Sequence, residues 1–228
     1  VARQPGERVM KIPTKSEQAY EILKSSIANG TFTPGHRLVI DQLGREHGIS
    51  SVPWREALRR LEAEGWVAIV PNSGAVVRRF GRGEWMRTIR LLARLEGLAT
   101  ALSSEHLTSH DLSHAEDLNA QMAQALADFD LQRFGRLNHE FHDVLCSRCD
   151  DEHLLGLVRS EWMRMDLIRR SVYWHAPGRA KESVAEHAAL LGLIRAGARG
   201  DDLETAARRH ELNTLEAVAA YDAAEAAR

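Results

Sequence analysis

Apolar residues recur along this chain with two periods, and the changes of period divide it. From Thr14 to Asn29 the spacing of Ala19, Ile22, Leu23 and Ile27 predicts a helix with those residues inward. Thr14 and Glu17 form a capping box at its start, and Gly30 stops it. After the Thr33-Pro34-Gly35 turn, a short helix runs from about Ile40 to His47 and ends at Gly48. Three residues, Gly48-Ile49-Ser50, then lead to a third helix. There Trp54, Leu58 and Leu61 form an inward stripe, with Ser51, Arg55, Arg59 and Glu62 on a polar face beside it. Ser50 or Ser51 is expected to cap that helix, Pro53 suits its first turn, and Gly65 ends it. The period then shortens: WVAIV and AVVRRF read as strands joined at Pro71-Asn72-Ser73-Gly74. Beyond Gly81-Arg82-Gly83 every strong pattern is helical, with six helices near 84–104, 108–127, 130–149, 152–174, 180–196 and 202–222. Asp150-Asp151, Pro177-Gly178 and Gly197 to Asp201 mark breaks.

Two helices joined so tightly make a helix-turn-helix, whose second helix can lie in a major groove, and a hairpin straight after it is a wing. The expected fold is therefore mainly α: a winged helix-turn-helix in residues 1–80 behind a loose arm at 1–13, a linker at 81–83, and an all-α bundle over 84–228. Charge follows the same division. Residues 1–80 hold 12 Lys and Arg against 8 Asp and Glu, a net of +4, and the remainder holds 18 against 24, a net of −6. A basic front third points to an anionic partner, double-stranded DNA. Arg55, near the start of the third helix, is the first choice for a base contact. Arg59 and the wing tip (Asn72, Ser73, Gly74) suit phosphate, and Ser50, Ser51 and Val52 complete the candidate surface.

No run is long enough for a membrane span, nothing at Val1 to Lys11 resembles a signal peptide, and a cytoplasmic chain is expected. Cys146 and Cys149 form one C-x-x-C with no second pair to complete a zinc site, so both are expected to be reduced and non-catalytic.

Of eleven histidines, most fall at turns, helix ends or solvated faces: His36, His47, His106, His110, His114, His153 and His175. His139 points with Arg136 and Asp143 toward solvent. His142 differs. Phe134, Leu137, Phe141 and Leu145 form an inward stripe that Asn138 and His142 interrupt, and buried polar groups need partners. His187 falls among Val184, Ala188, Leu191 and Ile194, and His210 follows Leu203, Ala206 and Ala207. Two readings stand: each histidine hydrogen-bonds within the core, or together with Asn138 they hold a divalent cation. A metal-dependent hydrolase ranks behind a regulator, because no Glu or Asp falls in the core stripe beside these histidines to act as base.

GISSVPWREALRRLEAEGWV and the PNSG wing resemble the winged-helix domain of GntR-type bacterial transcription regulators. LEGLATALSS, NHEFHDVL, SVAEHAALLGLIRAG and ARRH resemble the FadR branch with an all-helical FCD effector domain, in its short six-helix form. The resemblance implies a homodimeric repressor on a near-palindromic operator, controlled by a small carboxylate effector. It also implies a metal site, expected to hold Zn or Ni, at Asn138, His142, His187 and His210. A regulator that senses the ion itself is the alternative. The chain departs from the family pattern in four places. Ser51 stands where many relatives have an arginine, Trp54 replaces a smaller apolar residue, and Asn138 replaces an acidic ligand. Leu92 stands where relatives place an effector-binding arginine, which leaves Arg90 and Arg94 as the candidates. With Asn138 and three neutral histidines, a bound ion would keep its full positive charge and attract an anionic effector.

Overall fold

The computed structural model describes residues 13–71, 74–172 and 177–226. The chain divides between Arg79 and Phe80 into two compact units.

In the first unit, α1 (Lys15–Ala28) opens on the expected capping box: Thr14 Oγ1 accepts from the Glu17 N–H at 3.1 Å, and the Glu17 carboxylate accepts from the Thr14 N–H at 2.6 Å. Its buried face is Ala19, Tyr20, Leu23 and Ile27; Ile22 is only half-buried. Tyr20 takes the inward place because its hydroxyl reaches Glu64 at 2.7 Å while Arg60 lies over its ring, so an amphipathic tip is satisfied at the edge of the core. After β1 (Arg37–Leu38), α2 (Ile40–His47) ends at Gly48, whose φ of +64° makes the turn into α3 (Ser51–Ala63). Trp54 is fully buried, and its indole N–H donates to the Ile49 carbonyl at 3.2 Å, so the larger residue also ties down the turn. Ser50 occupies the N-cap position without a side-chain cap bond, contrary to expectation.

The hairpin is β2 (Val67–Val70) paired antiparallel with β3 (Gly74–Val77), from Val67 opposite Val77 to Val70 opposite Gly74. β1 joins on the other edge of β3, giving the order β1-β3-β2, a strand too short for periodicity to reveal. Gly74 has φ +93°, and a Cβ there would lie 2.1 Å from the Leu38 carbonyl oxygen of β1, so no other residue fits.

The second unit is an all-α bundle of α4 (Arg82–Ser103), α5 (Ser109–Ala127), α6 (Leu131–Cys146), α7 (Glu152–Val172), α8 (Pro177–Arg195) and α9 (Gly200–Ala226). Two expected breaks are corrected. Gly81 is the N-cap of α4 and donates its N–H to the Glu84 carboxylate at 3.2 Å, so Arg82 and Gly83 belong to a helical first turn and not to a linker. Pro177 and Gly178 begin α8; proline lacks an N–H that a first turn would leave unpaired anyway. Leu118, Met122, Phe134, Phe141, Leu145, Leu191 and Leu203 build the core between α5, α6, α8 and α9. α4 lies closest to α9. Gly97 permits this, since a Cβ would meet the Glu204 carbonyl at 2.9 Å and Arg208 Cβ at 3.2 Å.

Candidate functional site

Two surfaces carry the candidate residues. On the first unit, the exposed face of α3 and the sheet edge enclose a groove of about 660 Å³ lined by Arg37, Asp41, Arg55, Arg59, Ile69 and Gly74 among others. Arg55 and Arg59 are exposed, and among the described residues neither is held in an ion pair. Val52 is 59% exposed and Ser51 half-buried at the helix start. Glu62, read from the sequence as part of the polar face, instead accepts from the Ile69 N–H at 2.9 Å and pins β2 to α3. Arg37 was missed; only the pairing of β1 with β3 brings it into the groove. Asn72 and Ser73 lie outside the described residues.

The second surface is internal. His187 (0% exposed), His142 (4%) and His210 (5%) come from α8, α6 and α9, and one ring nitrogen of each lies within 4.8 Å of the others. Asn138 is also buried, one turn before His142 on α6. The hydrogen bonds orient the imidazoles. The Asn119 amide donates to the Val184 carbonyl at 3.0 Å, which leaves its Oδ1 to face His187 Nδ1 at 3.1 Å. His210 Nδ1 lies 2.6 Å from a Glu186 carboxylate oxygen. His142 Nδ1 faces Glu96 Oε2 at 3.5 Å. For His187 and His210 a hydrogen-bonded oxygen thus sits at Nδ1, placing the proton there and a lone pair on Nε2. Yet the Nε2 atoms of His187 and His210 stand 3.0 Å apart. Two lone pairs do not hold that distance without a cation between them, a proton or a metal ion. Burial, then the neighbouring His210 and Arg179, push the His187 imidazole well below its usual range, so this ring is neutral.

Sequence reasoning missed the acidic residues here. Glu96 (2% exposed) accepts from the Trp162 indole N–H, and Glu211 (4%) places Oε1 3.3 Å from His142 Nε2 and 3.7 Å from His210 Nε2. The expectation that no carboxylate lies beside the histidines is therefore wrong, and so is that of an all-neutral surrounding. Glu96 comes from α4, which no pattern within one helix could place. Glu211 follows His210 directly, and neighbours on a helix normally face different ways. Glu186 is held from the other side by Arg179, by Asn213 at 2.8 Å and by His210. Burial opposes its charge, but those three hydrogen bonds bring its pKa down to about 2.

The remaining candidates stand apart from this cluster. Arg90 and Arg94, the effector-binding candidates, are exposed, while Leu92, Ala93 and Glu96 belong to the buried face of α4. Arg179, at 6% exposure, is the guanidinium the fold buries next to the histidines, donating to the His210 carbonyl at 3.1 Å. His139 is not simply solvated: it stacks on Trp162 with ring centres 4.4 Å apart and meets Asp166 at 3.1 Å. His106, His110, His114 and His153 are exposed, and His175 lies outside the described residues. Cys146 and Cys149 are buried free thiols. Among the described residues no helix is long and apolar enough to cross a membrane.

Comparison with known proteins places each unit in a family. Residues 15–77 match the model of bacterial regulatory proteins of the gntR family, and residues 88–213 match that of the FCD domain. The HTH-type transcriptional regulator McbR of Escherichia coli is 28% identical over 193 residues, which cover 84% of this chain and 87% of that protein. The HTH-type regulator YdhC of Bacillus subtilis is 28% identical over 181 residues, 78% of this chain and 80% of that one. The solved structure of E. coli McbR/YncC shares the fold with a TM-score of 0.71 at 23% identity, over 94% of this chain and all of that one.

Proposed function

This chain belongs to the gntR family of bacterial regulatory proteins and carries an FCD domain, and from that premise we propose that it is a repressor controlled at a metal-centred site in its helical unit. It is a DNA-binding transcription regulator and not an enzyme. The observation that carries the proposal is the 3.0 Å approach of His187 Nε2 and His210 Nε2, with the outer nitrogen of each ring already facing an oxygen acceptor. Oxygen acceptors behind metal-binding histidines fix the tautomer in this same sense. His142, His187 and His210 would hold a divalent ion, Zn or Ni, with Asn138 beside His142 as the fourth ligand of the family pattern. Such an ion supplies a Lewis-acid anchor for the carboxylate of a small organic acid.

The DNA-binding half of the reading rests on Arg55 and Arg59, both on the exposed face of α3 and, among the described residues, held in no ion pair. In a homodimer two such helices would meet the half-sites of a near-palindromic operator. An acid that binds one conformation of the regulator better than the other shifts its affinity for DNA by that difference.

The test is the anisotropy of a labelled fragment of the chain's own upstream DNA, titrated with metal-stripped and with Zn- or Ni-loaded protein. Each is measured with and without small mono- and dicarboxylic acids. The proposal expects an acid to change the apparent affinity of the loaded protein by about fivefold or more and to leave the stripped protein unmoved. A change with metal alone, unaffected by any acid, would make the ion itself the signal. Identical affinities in every arm would remove the helical site from regulation.

A further inference from the structure

We infer that Glu211 is a direct ligand of the divalent ion, a buried carboxylate whose Oε1 faces the Nε2 atoms of His142 and His210. The inference rests on the metal reading above and adds a ligand that the family pattern lacks.

Glu211 Oε1 lies 3.3 Å from His142 Nε2 and 3.7 Å from His210 Nε2, and His210 Nε2 keeps its lone pair because Glu186 accepts from that ring's Nδ1. Ligand atoms bound at about 2.1 Å around one tetrahedral ion stand roughly 3.4 Å from one another. The 3.0 Å between His187 Nε2 and His210 Nε2 belongs to the same set of separations.

Burial makes the same demand. A carboxylate at 4% exposure is costly unless a cation meets it. Arg179 is turned to Glu186, the His210 carbonyl and Thr214. What faces Glu211 is the pair of imidazoles that would hold the ion, so metal and carboxylate answer the same need.

Glu96 has a different part. One of its oxygens accepts from Trp162, and the other faces Nδ1 of His142, the nitrogen turned away from Glu211. It positions the ring. Glu211 thus restores the negative charge that Asn138 does not supply, and an incoming acid meets an ion already part-neutralised.

Cobalt(II) is the probe, bound to the metal-stripped full-length protein and followed by its visible absorption and by competition with a chelator. Glu211→Gln is expected to weaken Co(II) binding roughly a hundredfold and to change the absorption bands, because the coordinating atoms change. Glu211→Asp, with the charge retained on a shorter arm, falls between and provides the reading should the Gln variant not fold. Glu96→Gln is expected to weaken binding about tenfold, the lower end of what orienting partners contribute, with the bands little changed. Wild-type affinity and spectrum in both Glu211 variants would overturn the inference while leaving the histidine site intact. If wild-type protein takes up no Co(II), the metal reading itself fails, and this inference with it.

Discussion

Gly74→Ala places a methyl group where the fold has no room. A Cβ at this position lies 2.1 Å from the Leu38 carbonyl oxygen, whereas ordinary contact begins near 3.4 Å, so β1 and β3 must part by about 1.3 Å. The strands pair there, Leu38 opposite Ala75, with the Val77 N–H donating to the His36 carbonyl at 2.9 Å. The left-handed φ of +93° costs an L-residue about 1–2 kcal/mol, and crowding a packed site costs about 1–3 kcal/mol more. Gly48→Ala separates the two contributions: φ is +64° but nothing lies within 4 Å, so only the conformational cost of about 1–2 kcal/mol applies. Hydrogen exchange of full-length protein in increasing urea, read at amides of residues 36–38 and 75–77, reports the unfolding free energy of the winged-helix unit by itself. Gly74→Ala is expected to lose about 2–5 kcal/mol, more than Gly48→Ala by about 1–3 kcal/mol. Equal losses in the two variants would show that the Leu38 carbonyl is not pressed against residue 74 and would refute the packing of β1 on the wing.

Arg55→Ala is expected to weaken operator binding by about 1–3 kcal/mol and to relax preference at one base pair, whereas Arg59→Ala should weaken all sequences alike and reduce the salt slope by about one; anisotropy titrations over a salt series separate the two. Glu186 titrates with a pKa of about 2 in the folded protein against an ordinary 4.5, so its contribution is fully present above pH 4.5 and lost as pH falls toward 2. Because the group is partly open to solvent, that contribution is about 1–2 kcal/mol and not the full value of the shift. In urea melts of metal-stripped protein, Glu186→Gln should flatten the loss of stability between pH 4.5 and 2. Burial pushes the Cys146 thiol well above its usual pKa, so labelling of the native protein by a thiol reagent should be slow and should accelerate on unfolding.

The inward faces of α3 and α6, and Ala19, Leu23 and Ile27 of α1, were legible because each is written within one helix. Phe134, Leu137, Phe141 and Leu145 repeat at helical spacing, and Asn138 and His142 stand out as polar residues on that stripe. Tyr20 was not legible, because its inward place depends on Arg60 of α3 and on Glu64 at that helix's end accepting a polar tip. β1 was not legible either: two residues carry no period, and the strand exists only because β3 offers it a partner.

Local order therefore determined which helices form and that three of them carry an inward histidine. Periodicity and capping act within a few turns of chain, so residue order suffices for them. Tertiary structure decided what surrounds those histidines. Glu96 arrives from α4, Asn119 from α5 and Glu186 from α8, each meeting an imidazole carried by another helix. Such meetings depend on how closely whole helices approach, as α4 and α9 do across Gly97, and no spacing within one helix encodes that.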